Sequence, residues 1–196
     1  MEMTRQKLMQ LLDELIEECH TRGIEGTIAI YGGTAMVYYV PELRTTQDVD
    51  SMFRPFSEIQ SAAEVVGNRN NVPNNWLNMQ IHDVMPPIGD DNPEVYSDAN
   101  GLKVTFASKK YLLAMKAMSD RRSQKDLDDA AVLFNALRLK NWMGIDEIVH
   151  QYYGVESAGA QELFLKISKI VPMRFGSKDR FRNDFYVSDM KLAGLG

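Results

Sequence analysis

The chain is predicted to be an α+β protein. Three features carry this: an amphipathic helix at the N-terminus, short β-favouring runs bounded by Gly-Gly, Asp-x-Asp and Asn-Gly, and a helical pattern that runs from residue 108 almost to the end. The strand signals lie before residue 107 and the remainder turns helical.

In residues 3–20, Leu8, Leu11, Leu12, Leu15, Ile16 and Cys19 recur at three and four, and Arg22-Gly23 supplies a stop. Residues 27–31 form a short apolar run that ends at Gly32-Gly33, after which 34–39 start a new helix: strand, tight turn, helix. Pro41 closes that helix. Residues 48–53 read as a second strand in which Val49 faces one way and Asp48 and Asp50 the other. A helix over 57–66 with Ser57 as its cap, an asparagine-rich loop over 68–75 and a short helix over 76–84 stopped by Pro86-Pro87 come next. Trp76 is assigned to the core. Residues 94–98 and 102–106 form a hairpin around Asn100-Gly101. Helices then follow over 110–118 (Ser108 cap), 125–139 (Ser123 cap), 146–153 and 158–171, and the tail beyond Pro172 carries no assignable pattern. Residues 1–107 are thus expected to form an α/β core and 108–196 a helical region packed on it as one domain.

Composition excludes several classes. A hydrophobic fraction of 44% with 25% charged residues is that of a globular chain with a buried core, not of a disordered one. No apolar run approaches the roughly 18 to 20 residues that cross a bilayer, and the first ten residues lack the pattern of a signal peptide, so a soluble cytoplasmic protein is expected. One cysteine, Cys19, cannot form an internal disulfide and falls on the apolar stripe of the first helix. His20, His82 and His150 lack metal-site spacing, which argues against a zinc enzyme. A net charge of −5 argues against wrapping in nucleic acid; the basic residues between Lys103 and Lys140 are either a local phosphate-facing patch or a solvated helix face.

The candidate chemistry lies in the first half. Asp48 and Asp50, two apart on a strand, project from one face with carboxylates close enough to share a divalent cation; the alternative is a polar strand edge or a loop cap. Gly32-Gly33 lies where a strand meets a helix N-terminus. Missing Cβ atoms there allow close backbone approach and helix N–H groups can meet an anion, so bulk added at Gly33 should block a phosphate. A bare tight turn is the alternative.

Ala29-Ile30-Tyr31-Gly32-Gly33-Thr34-Ala35, followed by Arg44-Thr45-Thr46-Gln47-Asp48-Val49-Asp50, resembles the signature of the polymerase-beta-like nucleotidyltransferase superfamily. The closer likeness is to the minimal bacterial and phage branch that includes AbiEii-type toxins. There a Gly-Gly-Thr-Ala turn and an Arg-x-Thr-x-Asp-apolar-Asp strand recur with a later helix, matched here by Tyr111-Leu112-Leu113-Ala114-Met115-Lys116 and then Lys125-Asp126-Leu127-Asp128-Asp129. Trp76-Leu77-Asn78 also resembles the family.

The resemblance implies a nucleotidyltransferase fold, a small mixed β-sheet flanked by helices. It implies Mg2+ or Mn2+ held by Asp48 and Asp50, and a nucleoside triphosphate bound at Gly32, Gly33, Thr34, Arg44, Thr45 and Lys116, with Asp126 and Asp129 in support. Thr34 and Lys116 would steady the outer phosphates. The acceptor hydroxyl would belong to RNA, a protein or a small molecule. A toxin-antitoxin or phage-defence setting, with a cognate antitoxin as partner, is implied as well. Asp126 and Asp129, at i and i+3, share a helix face and are alternatively the anchors of Lys116, Arg121 or Arg122. One departure stands out. The superfamily's third carboxylate belongs on a later strand, and the natural candidate, residues 102–106, has none, which leaves Glu94, Asp98 or Asp83.

Overall fold

Leu8, Leu11, Leu12, Leu15 and Cys19 are all buried, and their spacing winds the first segment into helix α1 (Arg5–Thr21). Thr4 caps it by accepting a hydrogen bond from the Lys7 N–H, and Gly23, at φ +65°, turns the chain away beyond Arg22. Burial pushes the Cys19 thiol up to about 11, so it packs as an apolar group. The computed structural model describes residues 2–40, 45–81, 85–120, 123–156 and 158–175.

The chain is an α+β protein with a five-stranded mixed sheet. Strands β1 (Gly26–Ile30) and β2 (Val49–Arg54) pair antiparallel, with Ile28 opposite Phe53 and Ile30 opposite Ser51. On the far side of β2, β3 (Leu77–Asn78) runs parallel, Asn78 opposite Asp50. β4 (Glu94–Ala99) and β5 (Leu102–Phe106) are an antiparallel hairpin whose β5 runs parallel to β1, giving the order β3-β2-β1-β5-β4. Asn100 at φ 56° and Gly101 at φ 79° take the two left-handed positions of the hairpin turn expected from the Asn-Gly pair. Alternation sets the faces. Val49, Ser51 and Phe53 are buried, while Asp50 and Met52 are half-buried and Arg54 is exposed. Helices α2 (Gly32–Tyr39) and α3 (Phe56–Arg69) complete this part, α1 packing on α3.

The chain divides into two compact units, 1–112 and 113–196, the boundary falling inside α4 (Lys109–Met118). Ser108 caps α4, its hydroxyl accepting from the Tyr111 N–H, while its own N–H donates to Asp90 at 2.6 Å. Among the described residues the C-terminal region has four helices: α5 (Gln124–Ala136), α6 (Trp142–Tyr153), α7 (Ala158–Ile167) and α8 (Ile170–Phe175). Ser123 and Asp126 form a reciprocal capping box at α5. α7 packs on both α5 and α6. Among the described residues no helix is long and apolar enough to cross a membrane.

Several sequence expectations need correction. Residues 76–79 are not helical, and of the expected helix over 76–84 the described residues keep only a 3-10 turn at Gln80–Ile81: Trp76 is buried with its indole N–H on the Ala63 carbonyl, and Leu77–Asn78 pair with β2. Tertiary pairing overrides the local pattern there. Asp48 lies in the bend before β2 rather than in the strand. Pro55, not Ser57, occupies the cap position of α3. α5 stops at Ala136 because Arg138 turns left-handed (φ 55°), and α6, capped by Asn141, starts at Trp142, four residues ahead of the expected 146. The expected helix over 158–171 breaks at Ser168, whose hydroxyl bonds back to the Leu165 carbonyl.

Candidate functional site

The Gly-Gly turn and the aspartate pair meet at one end of the sheet. The Tyr31 N–H donates to the Asp50 carbonyl at 2.9 Å, tying the end of β1 to β2 just where the chain enters α2. Gly32 follows in the left-handed region at φ 58°, and a Cβ built on it would stand 2.7 Å from Asp50 Oδ2. The Asp50 carboxylate therefore lies against the first turn of α2, where unpaired helix N–H groups and the helix dipole favour negative charge. Gly33 continues the helix.

Asp48 is held from three sides. Its carbonyl accepts from Thr34 Oγ1 at 2.7 Å and from Thr46 Oγ1 at 2.9 Å, and its Oδ2 accepts from Asn78 Nδ2 at 3.2 Å. Thr46 is itself pinned by paired backbone hydrogen bonds to Met3, so the N-terminal segment braces the aspartate bend. Asn78 stands opposite Asp50 in register and reaches Asp48 with its side chain, so all three lie on one face of the sheet.

Thr34, expected on the outer phosphates, is fully buried, with its hydroxyl donated to Asp48. Its hydroxyl holds the bend. Thr45 is half-buried, and Arg44 lies outside the described residues. Glu94 and Asp98 are on β4, three strands from β2 and so about 14 Å away at the usual strand spacing, which removes them as partners of the pair. Asp83 lies outside the described residues. Among the described residues no group of three or more His, Cys, Asp or Glu side chains is placed to hold a metal ion.

Lys116 belongs to the second unit. Its Nζ lies 2.6 Å from Asp126 Oδ1 and 3.0 Å from Asp129 Oδ2, with the lysine side chain 13% exposed and that of Asp129 only 1%. Two carboxylates already offset its charge, which makes Asp126 and Asp129 the anchors of this lysine. Burial raises the Asp126 carboxyl, but hydrogen bonds from Lys116 and Ser123 outweigh burial and leave it below the usual aspartate range. Arg121 and Arg122 lie outside the described residues.

Sequence reasoning centred on carboxylates missed Asn78. The signal lies in Trp76-Leu77-Asn78, whose composition suits the start of a helix.

Gly32→Ala should lower stability by about 1 to 2 kcal/mol for the left-handed backbone alone, and push Asp50 from its place. Denaturant titration of both proteins checks this. A loss under about 0.5 kcal/mol would mean that the turn readily adopts another conformation. No protein-family model, curated protein or solved structure matches the chain.

Proposed function

We propose that the chain is a magnesium-dependent nucleotidyltransferase of the polymerase-beta-like fold, transferring a nucleotidyl group from a nucleoside triphosphate to a hydroxyl. The observation that carries this is the contact between the Asp50 carboxylate and Gly32, which brings an acid pair and a helix N-terminus together at one sheet end. Carboxylate oxygens are the hard donors that Mg2+ and Mn2+ take, and Asp48 and Asp50 would hold the ion, with water and phosphate oxygens as its remaining ligands. When bound, the cation supplies charge neutralisation at the α-phosphate and on the departing pyrophosphate. The acceptor oxygen forms a bond to the α-phosphorus, the α–β phosphoanhydride bond breaks, pyrophosphate leaves with the bonding pair and the hydroxyl proton passes to water. Thr34, Thr46 and Asn78 hold Asp48 still through this step, which lowers the cost of organising the site. Lys116, with its charge already offset, is given no part in it.

One observation favours a second reading. With two carboxylates and no third among the described residues, the same site suits a module that binds nucleotide or a partner protein without turnover. A toxin-antitoxin or phage-defence setting rests on the sequence resemblance alone.

Incubation with each labelled triphosphate, Mg2+ and total cell RNA or protein, alongside an assay of pyrophosphate release, separates the two. Transferase activity is expected in the parent and is expected to fall at least 100-fold in D48N/D50N. Triphosphate binding without label transfer or pyrophosphate release would select the binding module. Neither binding nor transfer would overturn both.

A further inference from the structure

Asn78 is bound at both ends of its side chain. The Gln80 N–H, which can only donate, points at Asn78 Oδ1 from 3.0 Å, so the carboxamide must turn its NH2 end towards Asp48 Oδ2. The residue is 8% exposed, and its main-chain carbonyl accepts from Ser51 Oγ at 2.9 Å. The bond to Gln80 is a local turn that asparagine and aspartate make equally well. An aspartate would satisfy it. It would also set a second carboxylate about 3.2 Å from Asp48, and two carboxylates that close repel, whereas the amide donates a hydrogen bond. The choice of asparagine at this position is therefore explained by Asp48 and not by the turn.

Register adds the second half. β3 is the strand beside β2 on its outer side, and Asn78 is the residue opposite Asp50, on the same face as the acid pair. It thus stands beside both aspartates from a neighbouring strand, while β5, the strand that sequence alone made the natural place for a third acid, is separated from β2 by β1.

We infer that Asn78 is the positioning residue of the acid pair, a neutral group in the place of a third carboxylate, which aims Asp48 and keeps the site at two negative charges. The inference rests on the metal site proposed above. It implies that this site binds a divalent cation weakly without nucleotide, and that a single substitution suffices to strengthen it.

The test uses the full chain and Mn2+ alone, with free Mn2+ followed by electron paramagnetic resonance and thermal midpoints recorded with and without the ion. N78A should bind Mn2+ about 10-fold more weakly, the usual size of losing a group that orients a ligand. N78D keeps the turn to Gln80 and adds a ligand, so it should bind about 10-fold more tightly and show a larger Mn2+-dependent rise in midpoint than the parent. A purely structural asparagine predicts something different: N78D equal to the parent in Mn2+ affinity, since aspartate makes the same turn. That result, or an unchanged affinity in a folded N78A, would overturn the inference while leaving the acid pair in place. Mn2+ binding that is absent from the parent, or that survives D48N/D50N, would instead remove the metal site itself and the inference with it.

Discussion

Lys116→Met is expected to lower the stability of the protein by about 3 kcal/mol, although methionine fills much the same volume. The reason is what the substitution leaves behind. Asp129 is 1% exposed and accepts from Lys116 at 3.0 Å, so without the ammonium its charge stays in a poorly solvated place, and breaking a buried pair from one side costs about 3 to 5 kcal/mol. Asp126, 32% exposed, can turn to water and adds little. Removing both members separates the effects: K116M/D129N should recover much of the loss, because the buried carboxylate charge is then gone as well. The acid limb should change too. Asp126 has a folded-state pKa below its unfolded value, so its contribution is present above the unfolded value and is lost as pH falls through the folded one. In K116M the main hydrogen bond that lowers it is gone, and stability should fall less steeply on acidification. Denaturant titrations of the three proteins at several pH values measure this, and a loss under about 1 kcal/mol for K116M would return the lysine to the list of ligand-binding groups.

The elements that were legible in the sequence are those whose cause is local. Leu8 to Cys19 bury a stripe that needs no distant partner to be recognised, Asn100-Gly101 demands the two left-handed positions of a hairpin, and Ser123 with Asp126 makes a capping box within one turn. The Gly32 to Asp50 unit was legible for the same reason, as strand, glycine turn, helix and Asp-x-Asp are contiguous. What failed depended on long-range contacts. Trp76 to Asn78 has the composition of a helix start, yet the Trp76 carbonyl accepts from the Val49 N–H at 2.6 Å and Leu77 lies opposite Val49. Those partners are nearly thirty residues away, and no local propensity announces them. Thr34 follows the glycines, where a phosphate ligand would stand, while the Asp48 carbonyl that its hydroxyl meets is shared with Thr46, itself bridged to Met3. Within the candidate site, residue types were therefore more legible than tasks: the acids and the glycine turn stood out, while the groups that hold them did not.

The metal-linked gain in stability is expected to separate a working site from an empty scaffold most clearly. Only the folded chain brings Asp48 and Asp50 to one face, so Mg2+ with triphosphate at about 100 times the dissociation constant should stabilise it by about 2.7 kcal/mol. For a chain of this length each kcal/mol moves the midpoint by about 2 to 4 °C, so a rise of about 5 to 10 °C is expected. D48N/D50N should abolish that rise. Repulsion between bare carboxylates would by itself make the ligand-free double variant more stable than the parent. Asp48, however, accepts from the Asn78 amide, and Asp50 lies at the α2 N-terminus, contacts worth about 0.3 to 1 kcal/mol each at this partial exposure. The two effects oppose each other, and the ligand-free double variant should lie within about 1 kcal/mol of the parent. Aspartates that served only as caps would give the opposite pattern: a parent indifferent to Mg2+ and triphosphate, and a double variant weakened by about 1 to 2 kcal/mol whether or not they are present. Thermal midpoints of the two proteins, each with and without Mg2+ and triphosphate, distinguish these patterns, and an indifferent parent would end the case for a nucleotidyltransferase site.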